Sequence, residues 1–197
     1  MYEPKVLILF SGGADSVLLL HRALEKKLNP FCVMIDYEQT HKAELKFGKA
    51  YLKKFCVPSQ TVTIHGLRVK SGLTTGETFI YEGVHEMYVP SRNLMFLSIA
   101  ASIAESNKIN LIWYGANYSD MKDNFPDCRH GWVDSVNHLL AWNGSMEMTL
   151  EAPLLEELMF KHDVLSELHS RGINMKEIFS GYGDGPMQDR PTKWEGI

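Results

Sequence analysis

Six consecutive residues near the start of the chain have the types and order that suit phosphate binding. Before them, residues 5–10 form a short, continuous apolar run that is typical of a buried strand. After them, residues 17–27 have the pattern of an amphipathic helix. A glycine-rich turn between a strand and a helix N-terminus offers backbone N–H groups and the positive end of the helix dipole to an anion. The six residues are Ser11, Gly12, Gly13, Ala14, Asp15 and Ser16.

This hexapeptide resembles the SGGxDS signature of the N-type ATP pyrophosphatases, which bind the pyrophosphate of ATP and release AMP and pyrophosphate. No Gly-Lys-Ser or Gly-Lys-Thr sequence occurs here, so a Walker A loop is excluded. A bare pair of glycines would favour an ordinary strand–turn–helix corner. The full string in this context favours a phosphate site.

Polar or small residues also follow other predicted strands. Asp36 ends the apolar run 31–36, residues 115–117 follow the run 109–114, and Ala152 follows the run 145–151. In an open parallel sheet, ligands bind beyond the carboxyl ends of the strands. We therefore expect these residues and the 11–16 loop to line one edge of the sheet.

The elements alternate between strand and helix from the start, which predicts an α/β, doubly wound, mostly parallel sheet. The predicted strands are 5–10, 31–36, 60–64, 109–114 and 145–151. The predicted helices are 17–27, 41–55, 94–106, 132–142 and 161–171, the last capped by Gly172.

Three segments carry further expectations. Helix 94–106 is apolar around most of its circumference, which predicts deep burial. Residues 118–129 are expected to form a polar loop. The connection 66–90 is long and rich in glycine and aromatic residues, and it is either functional or an ordinary surface loop.

Several polar side chains are candidates for ligand binding, each with a simpler alternative. Asp36 can accept hydrogen bonds from a nucleotide, help to hold a metal, or cap the next helix. His41 and Glu44 can share a helix face towards a polar ring, or face solvent. Arg92, beside Asn93, can bind phosphate or carboxylate through two hydrogen bonds, or form a surface salt bridge.

A cluster of acidic residues precedes the fourth predicted helix. One or two of its carboxylates can serve Mg²⁺, which binds few protein ligands together with substrate phosphates. Cys128 is a weaker candidate for a nucleophile, because only His130 is available as a base beside it. The cluster consists of Asp120, Asp123 and Asp127, with Arg129.

The composition is that of a globular protein, with 197 residues, 45% hydrophobic and 22% charged. A formal net charge of −4 disfavours direct nucleic-acid binding. Three widely spaced cysteines do not form a disulfide framework, and no apolar run approaches the ~20 residues of a membrane span. With no signal peptide in the sequence, we expect a cytoplasmic protein without a membrane partner.

Five motifs in order resemble one family of N-type ATP pyrophosphatases, the 7-cyano-7-deazaguanine synthases of queuosine biosynthesis. Together they cover roughly residues 5–180 and are far more specific than the phosphate loop alone. The motifs are residues 10–16, Asp36-Tyr37-Glu38-Gln39-Thr40-His41-Lys42-Ala43-Glu44, Val89-Pro90-Ser91-Arg92-Asn93, Pro126-Asp127-Cys128-Arg129 and Glu151-Ala152-Pro153-Leu154.

The resemblance implies an adenine nucleotide alpha-hydrolase-like (PP-loop) fold with five strands in the order 3-2-1-4-5. It also implies an ATP-dependent C–N ligase that uses Mg²⁺. This enzyme would convert 7-carboxy-7-deazaguanine and ammonia, through an acyl-adenylate and the 7-amido intermediate, to 7-cyano-7-deazaguanine (preQ0). The product would serve 7-deazaguanine modification of tRNA or DNA, and the enzyme would be a homodimer.

The resemblance also implies roles for particular residues. Those expected to act in catalysis are Asp15, Ser16, Arg92 and Asp127. Those expected to bind ATP are Phe10, Ser11, Gly12, Gly13, Asp15, Ser16, Val17 and Asp36. Those expected to bind the deazaguanine are Tyr37, Gln39, His41, Glu44, Arg92, Asn93, Asp127 and Arg129.

The sequence departs from the family at its C-terminal zinc site, which needs four cysteines. No cysteine follows Cys128 here, so no zinc is expected. We expect a ligase domain over residues 1–180 and an irregular tail over 181–197 in place of the zinc lobe. The reaction stopping at the amide, a tRNA base as substrate, and a non-catalytic nucleotide-binding protein remain as alternatives.

Overall fold

The computed structural model describes residues 3–38, 43–67, 69, 84 and 88–178. Within them, the strands are β1 (Val6–Leu9), β2 (Pro30–Asp36), β3 (Ser59–Thr63), β4 (Leu111–Trp113) and β5 (Thr149–Glu151). The helices are α1 (Ala14–Glu25), α2 (Ala43–Lys54), α3 (Arg92–Ser106), α4 (Tyr118–Lys122), α5 (His130–Asn143), α6 (Pro153–Glu156) and α7 (Lys161–Ser170).

The strands form one sheet in the order β3-β2-β1-β4-β5, and every neighbouring pair is parallel. This arrangement confirms the predicted fold class and strand order. Strand β1 lies at the centre, and the chain leaves it towards β2 first and reaches β4 only later. The loops after β1 and β4 therefore diverge and leave a crevice at the carboxyl edge of the sheet.

Two apolar layers cover the sheet, one on each face. In β1, Ile8 packs into the layer that contains α1 and α7, whereas Leu7 packs into the layer that contains α3 and α5. Both side chains are fully buried. A strand with both faces covered has no polar alternation, which explains the continuous apolar run in the sequence.

Helix α3 corrects the expectation of deep burial. Its sheet-facing residues are buried, but Leu94 on the opposite side remains 38% exposed. Leu139 and Trp142 of α5 are exposed as well. Among the described residues, one layer of helices covers each face of the sheet, so an apolar residue on the outer side of α3 has no described element above it. The buried residues of α3 are Leu97, Ala100, Ala101 and Ala104.

The segment 118–129, expected to be a polar loop, contains helix α4 and a 3₁₀ turn at Pro126–Cys128. Helix α4 begins with a capping box in which Asn117 and Asp120 each accept a hydrogen bond from the other's backbone N–H, at 3.1 and 3.2 Å. This reciprocal cap stabilises a helix start that has little apolar pattern.

Helix α6 is a further element that the sequence did not predict, and the remaining differences concern boundaries and coverage. Strands β4 and β5 are shorter than predicted, and α1 begins three residues earlier than predicted, at Ala14. Gly172 has a φ of +68°, and it follows α7 as expected. The predicted start of the second helix at His41, most of the 66–90 connection and the 181–197 tail lie outside the described residues. None of the helices in the described part of the chain is long and apolar enough to cross a membrane.

Candidate active site

The 11–16 loop joins β1 to α1 and is held together by its own two serines. The Ser16 hydroxyl accepts a hydrogen bond from the Gly12 N–H at 3.2 Å and donates to the Gly13 carbonyl at 3.0 Å. The Ser11 hydroxyl accepts from the Gly13 N–H at 3.2 Å. No side chain caps the N-terminus of α1. The first N–H groups of this helix are therefore available to an anion.

Helix α2 packs directly on this loop through a pair of glycines. Gly12 has a φ of +86°, and a Cβ placed on it would lie 3.0 Å from the Cα of Gly48 and 3.2 Å from the carbonyl oxygen of Glu44. Only glycine combines this backbone conformation with so close an approach. The contact brings Glu44 to the wall of the adjoining cavity.

A cavity of about 250 Å³ opens at the carboxyl edge of β1, β2 and β4, next to the loop. Its wall includes Ser11, Asp15 and Ser16 of the loop, and it also includes Tyr37, Arg92 and Asn93. Its remaining lining residues are Leu9, Phe10, Val33, Ile35, Glu44, Leu45, Phe96, Tyr114, Gly115, Ala116, Asp120, Phe125 and Cys128.

Arg92 is the first residue of α3, and its guanidinium lies among aromatic rings. It donates hydrogen bonds to the Tyr37 hydroxyl and to Oδ1 of Asn93, both at 3.3 Å. The guanidinium carbon lies 5.8 Å from the ring centroids of both Tyr37 and Phe96. No carboxylate of the described residues forms an ion pair with it. Arg92 therefore brings a positive charge to the cavity wall.

Asn93 binds two further buried groups, one on the cavity wall and one behind it. Its side-chain N–H₂ donates to the Tyr114 hydroxyl at 2.9 Å and to Oδ2 of Asp127 at 2.8 Å. Burial raises the pKa of Asp127, whereas the positive charge of Arg92 opposes that shift. Burial likewise raises the pKa of the Cys128 thiol, which disfavours a thiolate nucleophile at neutral pH.

A second charged cluster lies at the loop end of the cavity. Oδ1 of Asp15 accepts a hydrogen bond from the Asn117 side chain at 3.1 Å, and Oδ2 forms an ion pair with the ammonium of Lys161. Asp120 lies beside them. Burial, and then the negative charge of Asp15, raise the pKa of Asp120 to about 7, although Lys161 acts in the opposite direction. Two carboxylates and one ammonium thus meet where the phosphate groups of a nucleotide would enter.

Comparisons with known proteins agree with this geometry. The family model described as "Queuosine biosynthesis protein QueC" matches residues 5–192. The chain belongs to the QueC family. A 7-cyano-7-deazaguanine synthase of Clostridium botulinum is 32% identical over 162 residues, which cover 79% of this chain and 74% of that protein. One from Alteromonas mediterranea is 29% identical over 188 residues, which cover 91% and 85% of the two chains.

A solved structure with the same fold is the U34-tRNA thiolase NcsA from Methanococcus maripaludis with its [4Fe-4S] cluster. It superposes with a TM-score of 0.59 at 14% identity and covers 88% of this chain and 59% of its own. At this identity the likeness concerns the fold alone. It agrees with the PP-loop architecture that the QueC family implies.

The structure brings many of the predicted site residues of this QueC-family chain to one cavity. Gly12, Gly13 and Val17 belong to the same loop and helix start but lie behind the wall, and Val17 is fully buried. Gln39 and His41 lie outside the described residues. The predicted residues on the wall are Phe10, Ser11, Asp15, Ser16, Tyr37, Glu44, Arg92 and Asn93.

Three other predicted residues have positions away from the wall. Asp36 accepts a hydrogen bond from the Glu38 N–H at 3.1 Å, and Asp127 lies behind Asn93. Arg129 is exposed and donates to Oδ1 of Asn124 at 2.6 Å. Their roles in binding or catalysis stay predictions.

Sequence reasoning missed several residues of this site, among them Phe96, Tyr114 and Lys161. Tyr114 directly follows β4, so the rule that ligands bind at strand ends was a sufficient signal for it. Lys161 carries no such signal, because it is a charged residue at the start of a predicted amphipathic helix and does not directly follow a strand. Its place beside Asp15 arises only when α7 packs on α1.

Proposed function

We propose that this protein is an ATP-dependent C–N ligase that converts 7-carboxy-7-deazaguanine and ammonia to 7-cyano-7-deazaguanine. The observation that carries the proposal is that the wall of one cavity includes a phosphate loop and Arg92, whose hydrogen bonds within the described residues go to Tyr37 and Asn93 and not to a carboxylate. The names of its relatives in the QueC family support the same product. The product would serve modification of tRNA or DNA.

Two groups of residues on the cavity wall suit the two substrates of the first step. The loop N–H groups and the hydroxyls of Ser11 and Ser16 would bind the phosphates of ATP. Arg92 would hold the ring carboxylate, because its planar guanidinium can donate two parallel hydrogen bonds. The ring itself would pack against Tyr37 and Phe96. This placement brings the carboxylate oxygen towards the α-phosphorus, which is what adenylation requires.

The reaction then needs two activations with the same groups. A carboxylate oxygen attacks the α-phosphorus, pyrophosphate leaves, and ammonia displaces AMP to form the amide. A second ATP activates the amide oxygen, and loss of AMP with two protons leaves the nitrile. The loop donors would stabilise the negative charge that develops on pyrophosphate in each activation.

Mg²⁺ fits the loop end of the cavity, where Asp15 and Asp120 lie side by side. Mg²⁺ commonly binds one or two carboxylates together with substrate phosphates, and it would neutralise charge on the phosphate chain. No group of three or more potential metal ligands occurs within the described ranges of the chain. The carboxylates of Asp15 and Asp120 therefore suit a Mg²⁺ site that is completed by the phosphates of ATP better than a site formed by protein ligands alone.

The test is to incubate the purified protein with 7-carboxy-7-deazaguanine, ATP, Mg²⁺ and ammonium and to identify the products by mass. We expect the nitrile with two AMP per product. Accumulation of the amide alone would show that the reaction stops halfway. Absence of amide, nitrile and AMP would refute the proposal.

Arg92→Met gives a sharper test of the carboxylate site. Since a hydrogen bond to a charged group contributes about 1.5–3 kcal/mol, we expect the KM for the carboxylate to rise about tenfold to a hundredfold. The KM for ATP should change little. Arg171→Met is the matched control, because that side chain binds Glu25 and Glu167 and does not line the cavity. Equal effects of the two variants on the carboxylate KM would contradict the assignment of Arg92.

A further inference from the structure

The side-chain amide of Asn93 is held in one orientation by two neighbouring residues. The Tyr114 hydroxyl donates its single proton to the backbone carbonyl of Asp127 at 3.1 Å, so its oxygen accepts from Asn93. Oδ2 of Asp127 lies 2.8 Å from the same end of the amide. The end of Asn93 that faces these two oxygens is therefore its N–H₂ group, and Oδ1 faces Arg92.

Burial of this network preserves the orientation of the amide. Tyr114 and Asp127 are only 7% and 4% exposed. Burial raises the pKa of Tyr114 well above its usual value, so the hydroxyl keeps its proton at neutral pH. Turning the Asn93 amide over would place its oxygen against two other oxygens. It would also leave buried polar groups without a hydrogen bond, which is costly.

Asn93 thereby places a hydrogen-bond acceptor beside the donors of Arg92. Oδ1 of Asn93 lies 3.3 Å from Nε of Arg92, and both residues line the cavity. A carbonyl oxygen has two lone pairs, so Oδ1 can accept a second hydrogen bond, whereas a guanidinium has donors only. The two residues together therefore offer both a donor and an acceptor to one small group of a ligand.

The two steps of the proposed reaction require both kinds of group. In the first step, one carboxylate oxygen attacks the α-phosphorus and leaves with AMP, and ammonia takes its position on the carbon. In the second step, the oxygen that remained must attack instead. The amide therefore has to rotate by half a turn about its bond to the ring. Its N–H₂ group then lies beside Arg92, which cannot accept a hydrogen bond from it.

We propose that Asn93 is a specificity-determining residue for the amide intermediate, whose N–H₂ group donates a hydrogen bond to Oδ1. Tyr114 is the positioning residue that keeps Oδ1 towards Arg92. The contact directs the amide oxygen away from Asn93 and leaves it available to attack the α-phosphorus. Asn93 forms no covalent bond and takes no proton, and the protons on nitrogen are lost later, with AMP. This role rests on the proposed function for the identity of the two ligands.

The test is to measure, by calorimetry without ATP, how Asn93→Ala binds 7-carboxy-7-deazaguanine and 7-amido-7-deazaguanine. We expect the dissociation constant of the amide to rise about tenfold, because its N–H₂ group loses an acceptor. That of the carboxylate should change by less than about threefold, since a carboxylate has no N–H to donate. Tyr37→Phe is the matched control, because it removes the other oxygen to which Arg92 donates. It should change both dissociation constants by the same factor.

Tyr114→Phe tests the positioning role separately. It removes the hydroxyl and keeps the ring, which lies 5.8 Å from the ring of Trp132. We expect a smaller loss of preference for the amide than in Asn93→Ala, because Asp127 still accepts from Asn93. In turnover, nitrile formation from added amide should slow more than amide formation from the carboxylate in both variants. A residue that only stabilised the fold would slow the two steps alike.

The ratio of the two dissociation constants decides the outcome. A ratio in Asn93→Ala equal to that of the wild type would overturn the proposal, as would a larger change of the ratio in Tyr37→Phe. Failure of both Asn93→Ala and Tyr114→Phe to fold would overturn it too, because the network would then be a structural brace. A wild-type protein that binds neither ligand would refute the proposed function itself, and the role of Asn93 with it.

Discussion

Asp120 shows how one carboxylate can serve both helix structure and charge at the site. Its side chain caps helix α4 by accepting a hydrogen bond from the Asn117 N–H at 3.2 Å. The same side chain is mostly buried and lies close enough to Asp15 to be affected by its charge. Burial and a like charge both favour its neutral form. The folded chain therefore holds a proton here at pH values where an unfolded chain has lost it.

This proton predicts a pH-dependent effect of Asp120→Asn. The pKa of Asp120 rises from 3.8 in the unfolded chain to about 7 in the folded one, so the folded chain binds more protons between these values. Its contribution to stability is present below pH 3.8 and is lost as the pH rises through 7. Asparagine keeps the acceptor and removes this dependence. We expect the melting temperature of the variant, relative to the wild type, to be higher at pH 8 than at pH 5.

The measurement is a pair of thermal melts at each pH, with Asp134→Asn as the control at an exposed position of α5. The control should differ from the wild type by the same small amount at both pH values. A difference in melting temperature between Asp120→Asn and the wild type that does not change with pH would contradict a raised pKa of Asp120.

At the scale of elements, the site depends on how closely α2 approaches the phosphate loop. The pair Gly12 and Gly48 allows this approach, and it fixes Glu44 on the cavity wall. Because the neighbours of Gly12 are backbone atoms, they cannot yield as the end of a flexible side chain would. A small change at Gly12 should therefore affect stability and nucleotide binding together.

Gly12→Ala is expected to destabilise the protein by about 1–3 kcal/mol, since alanine would be strained at a φ of +86° and would contact Gly48. It should also weaken ATP binding. Gly131→Ala in α5 is the control, and it is expected to stabilise the protein. An added Cβ there meets nothing within 4 Å, and alanine favours a helix over glycine by about 0.5–1 kcal/mol. Thermal melts of the two variants test this pair. A Gly12→Ala variant as stable as Gly131→Ala would contradict the proposed strain.

The sequence predicted the strands well because each central strand is buried on both faces and reads as an apolar run. It predicted the edge of the sheet at which the loops gather because parallel strands end together. Helix α4 was missed, since its start depends on the reciprocal cap of Asn117 and Asp120 rather than on an apolar pattern. The contact of Lys161 with Asp15 could not be predicted, because no local pattern encodes the packing of the last helix on the first.

At the scale of the whole molecule, the first and last described long helices are joined by a charged network. Arg22 of α1 binds Glu157 at 2.9 Å and Glu167 at 2.6 Å, and only 13% of its side chain is exposed. Hydrogen bonds from Arg22 are the largest cause that lowers the pKa of Glu167. The network therefore stabilises the folded protein at pH values at which Glu167 is ionised.

Arg22→Met is expected to lower the free energy of unfolding at pH 7 by about 1–3 kcal/mol, because a partly buried carboxylate loses its main partner. The pKa of Glu167 is lowered, so its contribution is present above 4.5 and is lost as the pH falls through the folded value. The difference from the wild type should therefore shrink as the solution is acidified towards pH 3. Urea unfolding of the variant and the wild type at pH 7 and at pH 3 measures this difference in the free energy of unfolding.

Lys54→Met is the control, since the Lys54–Glu177 pair is much more exposed, at 54% and 38%, and should contribute only about 0–1 kcal/mol. An equal loss of unfolding free energy in Arg22→Met and Lys54→Met would contradict a larger contribution from the ion pairs of Arg22.

The ion pair between Asp15 and Lys161 also has a consequence for protein synthesis. A ribosome makes the glycine loop almost first and the lysine 146 residues later. Contacts so distant in sequence form late, because a long loop must close before they are gained. A nascent chain that has completed only its first four strands carries the phosphate loop without its ammonium. In such a chain Asp15 lacks its ion-pair partner, and the charged cluster at the loop is complete only after the start of α7 has been made.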